Sequence, residues 1–185
     1  VQGTYIGTVS VHPYARGKQY MKRLMEAAVK DMKARGDVFS ALTGQRQRYG
    51  YFGYERGGSQ YQFCITRDNI RHCCKDIEKV LDFIEIKKNN KVLTEQAYQI
   101  YNRKVLRGIR SQEEFPAMLY TWMATPYAIL DHGEMIGYLI WGRGLLHEVI
   151  LLEEKEISAV FKSFIEMMDL QEMEIVTSID EIERR

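Results

Sequence analysis

Hydrophobic and polar residues follow two different spacings along the chain, and the two spacings predict strands and helices in turn. From Gly3 to Val11 the residues alternate and are rich in β-branched and aromatic types, which predicts a strand. From Gln19 to Arg35 apolar residues recur at helical spacing opposite a charged face, and Gly36 is suited to end that helix. A buried strand over Val38–Leu42 and a short helix over Gln45–Phe52 follow. With the strand Tyr61–Arg67 that comes next, the order β-α-β-α-β predicts a parallel core with at least one helix crossing over it.

A further strand, Tyr61–Arg67, completes the first part, and a boundary near Asp68–Lys79 divides the chain into residues 1–70 and 71–185. The second part is predicted to contain strands, helices and one hairpin around His132-Gly133. In chain order these elements are a strand over 83–87, helices over 95–103 and 112–122, hairpin strands over 127–130 and 135–141, a strand over 148–152, a helix over 157–168 and a strand over 174–177. The predicted fold class is α/β (α+β).

Composition restricts the class of protein further. The 185 residues are 45% hydrophobic and 28% charged, and the net charge is +1, as in ordinary soluble globular proteins. No apolar run is long enough to span a membrane and no signal-peptide pattern opens the sequence, so we expect a cytoplasmic protein without membrane contact. The small net charge and the lack of a basic stripe argue against nucleic-acid binding.

The three cysteines are expected to be reduced and structural. They are odd in number and form no Cys-x-x-Cys pair. His72, Cys73 and Cys74 are consecutive, and neighbours in sequence cannot easily surround one ion, so no metal site is predicted.

Cations are concentrated where a strand passes through a glycine-containing loop into a helix. Arg16 and Lys18 lie in this loop, and Lys22 and Arg23 begin the helix. Free amide groups and the positive end of the helix dipole converge at such a point and favour a phosphate. The alternative is a solvated charged face of a surface helix, but the strand–loop–helix context favours phosphate binding.

The residues on either side turn this anion site into a family resemblance. The segment His12-Pro13-Tyr14-Ala15-Arg16-Gly17-Lys18-Gln19-Tyr20-Met21, followed after a helix and a strand by Gln45-Arg46-Gln47-Arg48-Tyr49-Gly50-Tyr51-Phe52-Gly53-Tyr54-Glu55, resembles the GCN5-related N-acetyltransferases (GNAT). Within them it is most similar to the enhanced-intracellular-survival (Eis-like) aminoglycoside acetyltransferases. The resemblance implies a GNAT-like mixed sheet flanked by helices, with acetyl-CoA as co-substrate and no metal.

The family's coenzyme loop reads Arg/Gln-x-x-Gly-x-Gly/Ala, and its amides hold the pyrophosphate of acetyl-CoA. Arg16 matches the first position, whereas Gln19 stands at the Gly position and Met21 at the Gly/Ala position. The resemblance implies that the coenzyme is bound by Val9, Ser10, Val11, Arg16, Gly17, Lys18, Gln19, Tyr20, Met21, Lys22, Gly44 and Gln45. His12 is expected to shape the turn rather than to act as a base.

Tyr49 is the predicted catalytic residue. It fits the family's Tyr-x-x-x-Gly-Phe/Tyr pattern, in which the tyrosine lies near the thioester sulfur. A phenol stays protonated at neutral pH and can donate a proton to a leaving thiolate. The alternative is that Tyr49 is only one of the core aromatic residues of this segment.

The resemblance implies an N-acetyltransferase in which a small-molecule or peptide amine attacks the acetyl group directly, with amides of Val9–Val11 orienting the acyl oxygen. No residue is assigned as the base. The alternative is a non-catalytic GNAT-like binding or scaffold module with a degenerate coenzyme loop, which Gln19 and Met21 favour.

The resemblance also implies how the two parts of the chain differ. Residues 1–70 correspond to the C-terminal portion of an acetyl-CoA-binding GNAT domain, and its N-terminal part and the subgroup's C-terminal domain have no counterpart. Residues 71–185 resemble a second GNAT-like module. We expect this module to be structural, because its basic glycine stretch Gly142-Arg143-Gly144 leads into a strand instead of a helix. An incomplete sheet has an open edge, so a homo-oligomer is expected.

Overall fold

The computed structural model describes residues 1–57, 60–105 and 107–178, and the chain divides into two compact units, residues 1–58 and 59–185. In the part that is described, no helix is both long and apolar enough to cross a membrane. The division falls before the strand at residues 60–66, whereas the sequence pattern predicts a boundary near Asp68–Lys79.

The first unit is a parallel two-stranded ribbon with one long helix and two short ones. Strand β1 pairs with β2 in parallel, with Gly3 opposite Phe39 and Ile6 opposite Leu42. The parallel pairing and the helix that joins the two strands confirm the predicted crossover. The elements of this unit are β1 (Gly3–Ile6), a 3₁₀ turn (Pro13–Ala15), α1 (Tyr20–Arg35), β2 (Phe39–Leu42), α2 (Arg46–Tyr49) and a second 3₁₀ turn (Gly50–Phe52).

The first strand is shorter than the sequence predicts. It ends at Ile6 instead of Val11, so Val9, Ser10 and Val11 lie in a loop outside any strand. The chain leaves the extended conformation at Thr8, whose φ is 51°. A left-handed residue cannot continue a strand, and β2 pairs with β1 only as far as Ile6. The alternation of residue types after Ile6 therefore has no partner strand to stabilise it.

Helix α1 ends as the sequence predicts and is tied to the ribbon by Asp37. Gly36 adopts φ 76° at the C-cap and its N–H donates to carbonyls of the last turn. The Asp37 carboxylate accepts hydrogen bonds from the Thr4 hydroxyl (2.6 Å), the Arg35 guanidinium (3.0 Å) and the Gln2 amide (2.9 Å). These bonds connect the end of α1 with β1.

The second unit contains a six-stranded mixed sheet in the order β3-β8-β7-β6-β5-β4, which is antiparallel except for the parallel pair β7-β8. Helices lie on both faces. The elements are β3 (Gln60–Thr66), α3 (Arg67–Cys73), β4 (Asp82–Glu85), α4 (Lys91–Asn102), α5 (Phe115–Met118), a 3₁₀ turn (Thr121–Met123), β5 (Thr125–Asp131), β6 (Glu134–Gly142), β7 (Leu145–Leu151), a 3₁₀ turn (Glu154–Glu156), α6 (Ile157–Met167) and β8 (Glu172–Ser178).

Two hydrophobic clusters cover the two faces of this sheet. One cluster joins α3 and α6 to the face that carries Ile129 and Leu139. The other joins α4 and α5 to the face that carries Ala128 and Tyr138. The alternation of β5 and β6 residues between the two clusters follows the two-residue period of a strand. The fold is thus a mixed α+β fold with a central sheet flanked by helices, as the sequence predicts.

Most elements predicted after residue 60 are present, and the structure differs from the sequence pattern at three places. The hairpin is present, with φ 49° at His132 and 85° at Gly133. The predicted helix over 112–122 is only α5 and a 3₁₀ turn. Pro116 is tolerated in the first turn of α5 but would interrupt a helix that began at residue 112. The predicted boundary segment contains helix α3, which begins with a capping box between Thr66 and Asn69. Strand β3 pairs antiparallel with β8, so the prediction that this strand belongs to the parallel core is wrong.

Candidate active site

The loop before α1 contains two residues in the left-handed conformation. Gly17 has φ 81°, and a Cβ there would meet no atom within 4 Å. Gln19, the N-cap of α1, has φ 56° and ψ 19°. Gln19 therefore has a left-handed backbone conformation, which glycine adopts without strain.

This loop fits a phosphate. Gln19 makes no side-chain cap, and the first turn of α1 has no acidic residue. Neither an N-cap side chain nor a first-turn carboxylate therefore competes with an anion for the first-turn amides. Arg16 and Lys18 are exposed, and Lys22 forms a long contact of 3.8 Å with Glu26, in which both side chains are exposed. His12 Nδ1 accepts from the Tyr14 N–H (3.4 Å), which agrees with the expected role in the turn.

A cavity of about 350 Å³ lies beside the end of β2. Gly44, Gln45 and Tyr49, three of the predicted site residues, line it together. Its wall also includes Ser40 of β2 and Tyr54, whose hydroxyl groups are hydrogen-bonded at 2.7 Å. This cavity has the predicted catalytic residue at its wall and a polar lining.

Tyr49 is fixed by the absence of a side chain at Gly44. The ring is buried, with 6% of its surface exposed. A Cβ at position 44 would lie 2.3 Å from Cε2 of Tyr49, which is far below van der Waals contact. Gly44 is therefore needed for the position of the ring, in addition to its predicted role at the acyl end of the coenzyme.

Arg46 and Glu55 form an ion pair at the rim of the same cavity. The Nε and Nη2 groups of Arg46 donate to the two carboxylate oxygens of Glu55, at 2.8 and 3.3 Å. Hydrogen bonding and the charge of Arg46 hold the pKa of Glu55 below its ordinary value. Glu55 is therefore a carboxylate at neutral pH whose oxygens are already engaged. It is a weak candidate for the unassigned base, since a depressed pKa makes a poor proton acceptor.

The structure brings part of the predicted site together. Gly44, Gln45 and Tyr49 share the cavity, whereas Val9, Ser10, Val11 and the loop residues Arg16, Gly17, Lys18, Gln19, Tyr20, Met21 and Lys22 do not line it. The three residues from 9 to 11 are outside a strand, so their predicted role as a strand edge for the acyl oxygen has no strand to support it.

Sequence reasoning missed Ser40, Glu55 and Arg56 as cavity residues. Ser40 shares a strand face with Leu42, and its position at the cavity depends on the contact with Tyr54, which no local pattern shows. The basic and acidic residues that flank the aromatic–glycine segment, Arg46 and Glu55, were a usable signal. Opposite charges at the two ends of a compact turn are expected to pair.

The second unit repeats the strand–loop–helix crossover with the opposite charge. Strand β7 is followed by a 3₁₀ turn, helix α6 and the parallel strand β8. The connection carries Glu153, Glu154 and Glu156, and Glu156 accepts from Lys79 at 2.9 Å. Lys155 pairs with Glu153 at 2.6 Å, and the remaining negative charge at this helix start disfavours a bound anion.

One comparison with known families bears on the first unit. Residues 1–57 match the family model of the acetyltransferase (GNAT) domain. The matched segment contains the loop before α1 and the whole lining of the cavity. No curated protein matches the sequence.

Solved structures share the fold over 95% of this chain at low identity. A GCN5-related N-acetyltransferase from Kribbella flavida is 18% identical, with a TM-score of 0.65 over 95% of this chain and 45% of that one. A protein from Enterococcus faecalis V583, described as a probable N-acyltransferase, is also 18% identical, with a TM-score of 0.70 over 95% and 47%. Eis1 from Mycobacterium abscessus is 14% identical, with a TM-score of 0.57 over 95% and 48%. The chain spans slightly less than half the length of these proteins.

Proposed function

We propose that this protein is an N-acetyltransferase that transfers the acetyl group of acetyl-CoA directly to a primary amine. The family match of residues 1–57 supports acyl transfer, and the likeness to solved structures supports the fold. The observation that carries the proposal is the position of Tyr49, buried at the wall of a polar cavity inside the matched segment.

Each part of the first unit has a role in this proposal. The amides at the start of α1, together with Arg16 and Lys18, would hold the pyrophosphate. The coenzyme supplies an acetyl group activated as a thioester. Tyr49 donates a proton towards the leaving sulfur, and Gly44 keeps its ring in place.

Substitution of Tyr49 by Phe tests the catalytic role. The variant keeps the ring and loses only the proton donor, so kcat is expected to fall by about 100-fold or more. The affinity for CoA, measured by calorimetric titration, is expected to stay within about twofold, because the loop before α1 is unchanged.

Tyr51→Phe is the matched control, since Tyr51 is in the same segment but is 89% exposed. We expect it to behave as the unsubstituted protein. Equal rates of acetyl transfer in the Tyr49→Phe variant and the unsubstituted protein would exclude Tyr49 as the proton donor.

A non-catalytic GNAT-like binding or scaffold module with a degenerate coenzyme loop is the second candidate. It is favoured by the exposure of the loop residues, none of which lines the cavity that holds Tyr49. This candidate predicts no acetyl transfer to any amine. Absence of CoA binding at millimolar CoA would contradict the N-acetyltransferase and favour this candidate.

The proposal also covers the subgroup, the cellular location, the partners and the role of residues 71–185. We place the protein near the Eis-like subgroup, in the cytoplasm, as a homo-oligomer without nucleic-acid or membrane partners and without a metal. Residues 71–185 act as a structural GNAT-like module, which is supported by the acidic crossover between β7 and α6. Sedimentation velocity tests the oligomer: a single monomeric species at micromolar concentration would contradict it.

A further inference from the structure

The charges around the Tyr49 cavity are unbalanced. Arg46 and Arg56 line it, and Glu55 is the one acidic residue among the lining residues that are described. Glu55 is engaged through both of its oxygens by Arg46. Arg56 has no ion-pair or hydrogen-bond partner in residues 1–57, 60–105 and 107–178. The cavity thus presents one neutralised pair and one unpaired guanidinium.

The Arg46–Glu55 pair is easily exchanged. Its two side chains are 57% and 68% exposed, and exposed ion pairs contribute little to stability. Arg46 also keeps N–H groups that its bonds to Glu55 do not use. A ligand anion could therefore add to Arg46, or replace Glu55 on it, without a large loss.

The remaining polar groups of the lining are uncharged. The hydroxyl groups of Ser40 and Tyr54 are bonded to each other, and Tyr49 contributes a phenol. None of them would compensate the positive charge of a second amine. A polycation would meet two guanidinium groups and a carboxylate that is already paired, which is unfavourable.

From these charges we infer that the cavity takes an acceptor amine that also carries a carboxylate, and that Arg56, with Arg46, binds that carboxylate. Planar guanidinium groups bind carboxylates through paired hydrogen bonds, which gives orientation as well as affinity. The inference rests on the proposed acetyl transfer, because only that reaction makes the bound amine an acceptor. It separates amino acid-like or peptide-like amines from polycationic ones.

The test uses acceptor pairs that differ only in this group: glycine and glycinamide, γ-aminobutyrate and its amide, and Nα-acetyllysine and its amide. Rates are compared after correction for the fraction of neutral amine. The carboxylate member of at least one pair is expected to have a KM about tenfold or more lower, as charge-assisted hydrogen bonds commonly provide. If no pair prefers its carboxylate member, the inference is wrong.

Arg56→Gln is expected to remove the preference within that pair by raising the KM of the carboxylate member to about that of the amide. Arg48→Gln is the matched control, because Arg48 lies on the same short helix as Arg46 but does not line the cavity. It should retain the preference. Equal losses with both members of the pair in the Arg56→Gln variant would contradict the inference.

The anion bound by Arg56 could also be a phosphate of the coenzyme, and calorimetric titration of the same variants with CoA distinguishes the two sources. Weaker CoA binding in Arg56→Gln with unchanged acceptor preference would assign Arg56 to the coenzyme and overturn the inference. If CoA binds but no amine is acetylated, the proposed function fails by itself. Titration of Nα-acetyllysine and its amide into the CoA-saturated protein then decides the inference: equal affinity overturns it, and tighter binding of the carboxylate supports it.

Discussion

The position of the Tyr49 ring depends on the absence of a side chain at Gly44. An alanine Cβ would be 2.3 Å from Cε2 of Tyr49, so the Gly44→Ala variant must shift the ring or the backbone. Because proton donation depends on the position of the phenol, we expect kcat to fall at least about tenfold. The rate of acetyl transfer at saturating acetyl-CoA measures this effect.

Gly50→Ala provides the control for Gly44→Ala. A Cβ at Gly50 meets no atom within 4 Å, and its φ of −57° is helical. This variant should transfer acetyl groups as the unsubstituted protein does. If Gly44→Ala is equally active, the ring can adjust without loss and Gly44 does not position it.

The left-handed conformation of Gln19 makes a second prediction at the scale of one residue. A non-glycine residue in this region costs on the order of 1 kcal/mol, so Gln19→Gly should make unfolding of the first unit harder by up to about that amount. Because Gln19 already has the left-handed conformation that glycine adopts readily, CoA affinity should change less than about threefold. Calorimetric titration and urea unfolding measure the two quantities.

Gly17→Ala is the opposite test of the same loop. Gly17 also has positive φ, at 81°, in open space, so alanine there adds backbone strain and no contact. It should destabilise the first unit. A large gain in CoA affinity for Gln19→Gly would instead show that the glutamine side chain obstructs the coenzyme.

At the scale of elements, the sequence predicts what depends on local spacing and misses what depends on pairing. The stripe of α1 and its end at Gly36 are local, and both are present. The end of β1 at Ile6 depends on where β2 stops, and the place of β3 depends on β8, a strand more than a hundred residues away. The cavity contains residues of both kinds. A sequence motif predicts Gly44 and Tyr49, whereas Ser40 lies at the cavity through a contact with Tyr54 that no local pattern shows.

The bonds of Asp37 make the junction of α1 with β1 sensitive to acid. The hydrogen bond from Thr4 and that from Arg35 hold the pKa of Asp37 below its ordinary value of 3.8. A lowered pKa stabilises the folded state above the ordinary value and loses that contribution as the pH falls through the folded-state pKa. Amide exchange in β1 and α1 should therefore accelerate, after correction for its intrinsic pH dependence, as the pH falls below about 4.

Asp37→Asn should remove most of this acid dependence and should leave exchange in β1 faster at neutral pH. Asp31→Asn is the control, because Asp31 is 61% exposed in its ion pair with Arg35 and does not contact β1. An unchanged acid dependence in Asp37→Asn would show that another carboxylate controls this junction.

At the scale of the whole molecule, the two units differ in how much apolar surface they bury. Among the described residues of the first unit, the buried apolar ones are Met25, Met32 and Tyr49, around a ribbon of two strands. The second unit has two extensive clusters on the faces of six strands. Burial of apolar surface is the main stabilising contribution, and a two-stranded ribbon has little of it. The unit with the candidate site is therefore expected to be the less stable one.

Hydrogen exchange of the intact chain measures this difference. Amides of β1 and β2 should exchange at least about tenfold faster than those of β5 and β6, because opening of the first unit costs less free energy. Saturating CoA should slow exchange at the start of α1 and in β1 and leave β5 and β6 unchanged, since a ligand stabilises the unit that binds it. If the amides of β1 and β2 were protected as strongly as those of β5 and β6 without ligand, the expected difference in stability would be contradicted. Slowing confined to β7 and the start of α6 would place the coenzyme in the second unit, against the repulsion expected from Glu153, Glu154 and Glu156.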